Sequence, residues 1–323
     1  MLENYSENDM IGMKIDWTAI NISNYKMDRL PSPTFNELKT FQYDINYFLC
    51  SNNNLSYIYN LPPNIIYFDC SYNDITKLPN ILPSKLKVLL CQKNYVQILP
   101  NLPNTIIKIN ANNNLLQEIP NIPYCLKYLS FSYNIVNELP IYTLHQTLNK
   151  CQNNKLNKIL NSVKKINFAH NRILNIQNIK FYNNITELSC YGNNLYKLPN
   201  KLNDNITIMW CFLNKLVLLP ITLPSKLITL VCDYNNLIFL PELPNTLEIL
   251  YCNCNMLESL PIIPPYLRKC RCCCNRLKKL PDFPISLTYF FCTNNYIDNI
   301  SMWNKKLFMT INYYNADYNS FDV

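Results

Sequence analysis

The chain has 323 residues, of which 49% are apolar and only 15% charged, with two glycines against 21 prolines; this composition excludes a collagen-like chain or a flexible linker and argues against disorder. A formal net charge of +8 is modest for the length, and the lysines are scattered along it, so charge does not point to nucleic acid. No apolar run reaches the roughly eighteen residues that a membrane helix needs, because proline, asparagine or lysine interrupts each one.

Residues 1–44 begin MLENYSENDMIGMKIDW, polar and acidic where a secretory signal would run from basic to apolar, so an intracellular, cytoplasmic protein is expected. This stretch carries Trp17 and an apolar alternation around Ile20 and Ile22, departs from the pattern that follows, and is expected to be an N-terminal cap or short extension. From residue 45 to 298 one unit recurs. It is clearest in LPELPNTLEILYCNCNMLESLP, residues 240–261, where Leu247, Leu250, Cys252, Asn255 and Leu257 take the form L-x-x-L-x-C-x-x-N-x-L. Its asparagine falls at 53, 73, 94, 114, 134, 154, 171, 193, 214, 235, 255, 275 and 295, which makes thirteen repeats. The spacing is 20 to 22 residues except between Asn154 and Asn171, where it is 17 and an LP segment is missing. Just before, Gln146 and Asn149 occupy slots that are apolar elsewhere, and a local irregularity is predicted there. After Ile297 the pattern fades through a degenerate unit at Leu307 and Asn315, and residues 299–323 are expected to form a C-terminal cap.

The alternation in Leu250-Tyr251-Cys252 has period two, that of a short strand with one face buried. Units that cannot bury an apolar side alone must stack, which pairs these strands in parallel. The asparagine stands where the chain leaves the strand, and its amide would bond backbone groups of adjacent turns as a buried ladder. Between strands the chain reads L-P-x-L-P, as in Leu240-Pro241-Glu242-Leu243-Pro244. Prolines at this density break helices and hold the preceding residue extended, so the outer side is expected to be extended or polyproline-like with little helix.

These LPxLP…LxxLxCxxNxLxxLP units resemble the short leucine-rich repeats of bacterial effector proteins and the asparagine- and isoleucine-rich repeat proteins of large DNA viruses that infect amoebae. The likeness spans about residues 45 to 297. It implies a leucine-rich-repeat solenoid of the α/β superfamily, with a curved parallel β-sheet on the concave face, and a role in protein recognition. Some such effectors carry a C-terminal ubiquitin-ligase domain; fewer than thirty residues follow the last repeat here, so that activity is not expected.

Ten of the fifteen cysteines share one slot, Cys50, Cys70, Cys91, Cys151, Cys190, Cys211, Cys232, Cys252, Cys272 and Cys292, which Ala111, Phe131 and Phe168 fill in other repeats. A slot that accepts Ala and Phe is apolar, so these thiols are expected to be buried small hydrophobes, without disulfides in an intracellular setting. Cys270 replaces a core leucine, while Cys254, Cys273 and Cys274 are expected on the open inner surface. The run RKCRCCCNR lacks the paired C-x-x-C knuckles of a zinc site, so no metal and no cofactor is expected. An incidental disulfide between Cys254 and Cys274 is the alternative for this cluster. The two histidines, His145 and His170, stand in no nucleophile, metal or acid–base motif, and with glycine only at Gly12 and Gly192 there is no phosphate loop. The chain is expected not to be an enzyme.

The concave face remains as the place for function. The outward residue of each strand runs Leu49, Asp69, Leu90, Asn110, Ser130, Lys150, Asn167, Ser189, Trp210, Val231, Tyr251, Arg271 and Phe291, and the row turns aromatic near residue 210. Ile208, Phe212, Leu213, Tyr234, Ile249 and Tyr289 reinforce it on the same side. Tyr, Trp, Phe and Arg are the residues that interface cores favour. The expected function is a non-enzymatic protein–protein interaction scaffold that binds a partner on the concave face of repeats nine to thirteen. One rival is a structural or self-associating repeat protein in which this patch closes a homo-oligomer. A second is nucleic-acid binding through Lys93, Lys108, Lys150 and Lys165 with Tyr128 nearby.

Overall fold

The computed structural model describes residues 15–16, 19–30, 45–120, 123, 125–137, 164–176, 184–311 and 313–319. Trp17, His145, Cys151, Asn154 and the irregularity expected before Asn171 lie outside the described residues. The chain divides into two units, Met1–Val163 and Lys164–Val323.

In the first unit, β1 (Ile15–Asp16) pairs antiparallel with β2 (Ala19–Asn21). From β2 onward the strands pair in parallel, each with the next in sequence: β3 (Tyr47–Leu49), β4 (Tyr67–Asp69), β5 (Val88–Leu90), β6 (Lys108–Asn110) and β7 (Tyr128–Ser130). The second unit repeats the arrangement with β8 (Lys165–Asn167), β9 (Glu187–Ser189), β10 (Ile208–Trp210), β11 (Thr229–Val231), β12 (Ile249–Tyr251), β13 (Lys269–Arg271), β14 (Tyr289–Phe291) and β15 (Tyr313–Asn315). Strand order that follows chain order, at one short strand per twenty-odd residues, is a leucine-rich-repeat solenoid.

Register follows the sequence columns. Leu250 stands opposite Cys270, and Tyr251 opposite Arg271. In β3 to β7 and β9 to β14 the middle residue is buried in the core and the next inward position holds the cysteine slot; Leu230, Leu250, Cys270 and Phe290, and Cys232, Cys252, Cys272 and Cys292, are all fully buried. The slot is more than a hydrophobic hole, because Cys232 Sγ donates to the Tyr251 carbonyl at 3.4 Å and Cys252 Sγ to that of Arg271 at 3.3 Å. Burial pushes the slot thiols up, Cys91 and Cys211 to about 12.

The asparagine ladder is explicit. Asn235 Nδ2 donates to the Cys211 and Cys232 carbonyls, at 3.1 and 3.0 Å, while Oδ1 accepts from Leu216 N at 3.0 Å. Each amide thus ties its own corner to the previous turn. The same set recurs at Asn73, Asn94, Asn255 and Asn275, among others. It runs on past the repeats counted in the sequence. At one end Ile22 takes the cysteine slot and its carbonyl accepts from Asn53 Nδ2. At the other, Asn319 supplies the ladder amide to the Cys292 carbonyl. Asn315, read from the sequence as the degenerate unit's asparagine, is instead the outward residue of β15 opposite Phe291.

The residue before each ladder asparagine adopts left-handed backbone. Asn52, Tyr72, Lys93, Asn113 and Tyr133 in the first unit, and His170, Gly192, Leu213, Tyr234, Cys254, Cys274 and Asn294 in the second, have φ between 47 and 65°. Only one of these is glycine, although non-glycine residues adopt this region rarely and at a cost. The ladder asparagine spans the corner, as Asn235 Nδ2 does by bonding the Asp233 carbonyl at 3.2 Å. Gly192 has a local reason: a Cβ there would lie 2.6 Å from His170 Nδ1.

On the outer side the prolines organise turns. The carbonyl of Pro224 accepts from Leu227 N, and those of Pro244 and Pro264 from Leu247 N and Leu267 N, so each proline delivers the next core leucine. Isolated parallel bridges such as Lys197–Leu218 and Lys201–Thr222 link neighbouring outer segments. The helix among the described residues is α1 (Met302–Phe308), capped by Ser301, whose Oγ accepts from Asn304 N. It lays Phe308 on Phe290 with ring centroids 4.8 Å apart.

Candidate functional site

The side of the sheet opposite the core is set by strand alternation, which aims the first and third residue of every strand outward together with the residue after the cysteine slot. In the second unit this brings Ile208, Trp210 and Phe212 beside Val231, then Ile249 and Tyr251, then Arg271, then Tyr289 and Phe291. Tyr234 and Leu213 stand at left-handed corners bordering this face, 56% and 43% exposed. The row itself is half-buried, although the sequence reading expects it to be exposed. Strands about 4.8 Å apart press large outward side chains against one another.

Arg271 is the hub. Its guanidinium carbon lies 4.9 Å from the Tyr251 ring centre, 5.0 Å from Tyr289 and 5.8 Å from Phe291, a cationic group held among three aromatic rings. Nε and Nη2 both donate to the Tyr289 hydroxyl. The arginine is thereby fixed before any ligand arrives, which lowers the entropic cost of using it. At the other end Phe212 stacks on Tyr191 at 4.2 Å, and His170 meets Tyr191 edge-on. His170 is the one histidine among the described residues, and burial holds it below its ordinary range.

Asp233 lies between these clusters, a residue that sequence reasoning passed over because its column is polar in several repeats. Burial pushes its carboxyl up to about 6, against opposing pulls from the Asn253 backbone N–H, 2.6 Å away, and from Arg271. A carboxyl that holds its proton more tightly folded than unfolded makes stability fall as pH rises between 3.8 and about 6. Asp233→Asn keeps an acceptor for Asn253 and removes the titration. Its melting temperature is expected to exceed that of the wild type above pH 6 and to converge on it near pH 4; parallel curves across that range would contradict the burial of this carboxyl.

The remaining candidates do not gather into a site. Lys93, Lys108 and Tyr128 belong to the first unit and Lys165 to the second, where Glu187 pairs with it at 2.5 Å; Lys150 lies outside the described residues. Cys273 and Cys254 are half-buried and Cys274 is exposed. Among the described residues no three His, Cys, Asp or Glu side chains converge as metal ligands, and no helix is long and apolar enough to cross a membrane. One apolar group escaped the sequence reading: Val217, Leu218, Ile238 and Phe239, on the outer side of two adjacent repeats, are 37 to 49% exposed. Its signal was available, since the matching positions in later repeats are Glu258, Ser259, Lys278 and Lys279.

No protein-family model matches the sequence, and no curated protein sequence does. Solved structures do match. YopM of Yersinia pestis, a leucine-rich effector protein, is 24% identical over 94% of this chain and 84% of its own, with a TM-score of 0.70. YopM of Yersinia enterocolitica is 23% identical over 88% of this chain, with a TM-score of 0.69, and this chain spans 62% of its length. InlJ of Listeria monocytogenes, described as including a cysteine ladder, is 20% identical over 87% of this chain and 69% of its own, with a TM-score of 0.59. The chain therefore has the fold of the leucine-rich repeat proteins, in the form seen in bacterial effectors and internalins.

Proposed function

We propose that the protein is a non-enzymatic scaffold that docks a protein partner on the sheet face of repeats nine to thirteen. The observation that carries this reading is Arg271, clamped among Tyr251, Tyr289 and Phe291 in a row that continues through Val231 to Trp210. A contiguous surface of aromatic and arginine side chains, already ordered by its own contacts, has the composition and preorganisation of an interface core. The solenoid supplies the extended surface such repeats use for recognition. The outer group around Phe239 is as apolar, and exposed Tyr196 adjoins it, but no cation is clamped among its side chains as Arg271 is on the sheet face.

The test starts from a pull-down with the purified chain, followed by affinity measurements on variants. Trp210→Ala and Tyr251→Ala are each expected to weaken the complex by about 2 kcal/mol, roughly thirty-fold in Kd. Asn110→Ala and Ser130→Ala, at equivalent places in the first unit, should change it far less. Equal losses at both ends would remove the reason for placing the site here. If light scattering instead finds a homo-oligomer that Trp210→Ala dissociates, the patch is a self-association surface.

A further inference from the structure

Two thiols stand apart from the buried slot. Cys254 and Cys274 occupy the same left-handed corner of adjacent repeats, with φ of 52 and 54°. The corners are held in register because Cys252 N donates to the Arg271 carbonyl at 2.8 Å and Cys254 N to that of Cys273 at 2.9 Å. Cys274 is exposed and Cys254 half-buried, and the Cys254 thiol interacts directly with both Cys274 and the Tyr234 hydroxyl. The nearby cysteines are otherwise engaged: Cys252, Cys270 and Cys272 are fully buried, and Cys273 bonds to Thr293.

Adjacent strands bring equivalent Cα atoms to about 4.8 Å, inside the window of roughly 4.4 to 6.8 Å that disulfides span. Matching backbone conformations make the two Cα–Cβ bonds nearly parallel, so the Cβ atoms also stand about 4.8 Å apart, just beyond the roughly 3.5 to 4.5 Å usual in disulfides. Closing the bond would draw the corners slightly together, and a disulfide that is exposed and slightly strained is one that is easily reduced.

We propose that Cys254 and Cys274 form a reversible dithiol site that closes to an inter-repeat disulfide by exchange with a low-molecular-weight disulfide such as oxidised glutathione. The exposed Cys274 thiolate attacks one glutathione sulfur, forming a mixed disulfide and releasing one glutathione thiolate. Cys254, deprotonated in turn, attacks the Cys274 sulfur and expels the second. The two cysteine protons leave on two molecules of reduced glutathione, the two cysteines lose two electrons, and the glutathione disulfide gains them. Burial and the neighbouring Cys274 hold the Cys254 thiol above its ordinary range, so it is the poorer first attacker, and its proximity to Cys274 confines it to the second, intramolecular step. Closure also takes the thiol away from Tyr234, at the border of the candidate face. The assignment does not depend on that face binding a partner.

The test incubates the full chain with oxidised glutathione at neutral pH, alkylates the remaining thiols in denaturant, and locates bonds by peptide fragmentation. The wild type is expected to give a Cys254–Cys274 cross-link with little retained glutathione, reopened by excess reduced glutathione. Cys254→Ser should instead keep glutathione on Cys274, and Cys274→Ser should remain largely unmodified. A wild type that retains glutathione on Cys274 as strongly as Cys254→Ser overturns the proposal. So does one that stays reduced, or that cross-links Cys273 or a slot cysteine.

Discussion

Exchange of Cys232 for aspartate is expected to destabilise the protein by about 4 kcal/mol or more, the largest loss of any substitution considered, because it leaves an unpaired charge in the core. The side chain is fully buried in the column of Cys211 and Cys252, and its thiol donates to the Tyr251 carbonyl. A carboxylate would turn that donation into repulsion. Protonation restores a donor, so the defect should shrink as pH falls through the raised pKa of the new carboxyl. Cys232→Ala, by contrast, should cost about 1 kcal/mol, a weak hydrogen bond and a small cavity; Ala111 sits fully buried in the equivalent slot. Urea titration of the two variants at pH 7 and pH 4 checks both halves. Comparable losses for Ala and Asp would mean that the slot responds to volume alone.

Asn235→Ala is expected to cost about 2 to 3 kcal/mol, and the loss falls on one partner of the amide more than on the others. The Cys232 carbonyl keeps a donor in Asn255 Nδ2, and the Cys211 carbonyl keeps one in Asn214 Nδ2. Leu216 N has Asn235 Oδ1 as its acceptor, and Leu216 is fully buried. An orphaned buried N–H accounts for about 1 to 3 kcal/mol, and the void left by the amide adds to it. Amide exchange at Leu216 should accelerate more than at neighbouring core positions. Asn235→Asp preserves that acceptor yet sets a carboxylate against three carbonyl oxygens, so it should be no milder than alanine. An unchanged unfolding profile, with Leu216 still protected, would show that the ladder contributes nothing at this rung.

The columns of leucine, cysteine and asparagine were legible because each is selected by one-sided burial, which sequence records directly. Leu250, Cys252 and Asn255 stand where the pattern places them. The C-terminal asparagine was misassigned because α1 lengthens that unit, so counting forward from Asn295 stops at Asn315 before reaching Asn319. The strand Ala19–Asn21 was only half legible: its apolar alternation is visible, but Tyr25 stands three residues after Ile22, where later units carry the asparagine that marks a repeat. On the sheet face, period two gives the direction of Trp210 and Tyr251 correctly. It carries no information on how far neighbours crowd them, nor on the pairing of Arg271 with the Tyr289 hydroxyl, since both depend on register between strands. Asp233 was missed because its column is polar in several repeats, and a polar column does not record the burial that raises its pKa.

The left-handed corners bear on how such a chain diversifies. Where a turn relies on glycine, the position is lost to recognition, because a hydrogen offers nothing to bind. Here the strain is offset by the neighbouring asparagine amide, and corner residues as different as Lys93, Tyr133, His170, Leu213 and Cys254 share one backbone conformation. Valine, isoleucine and threonine, whose branched Cβ fits this region worst, do not occur among the described corners. Apart from Gly192, where His170 leaves no room for a Cβ, the alphabet at these corners is nearly open, and it can be rewritten one repeat at a time without renegotiating the core. Mutational drift at these positions would alter the surface the repeats present long before it altered whether the chain folds.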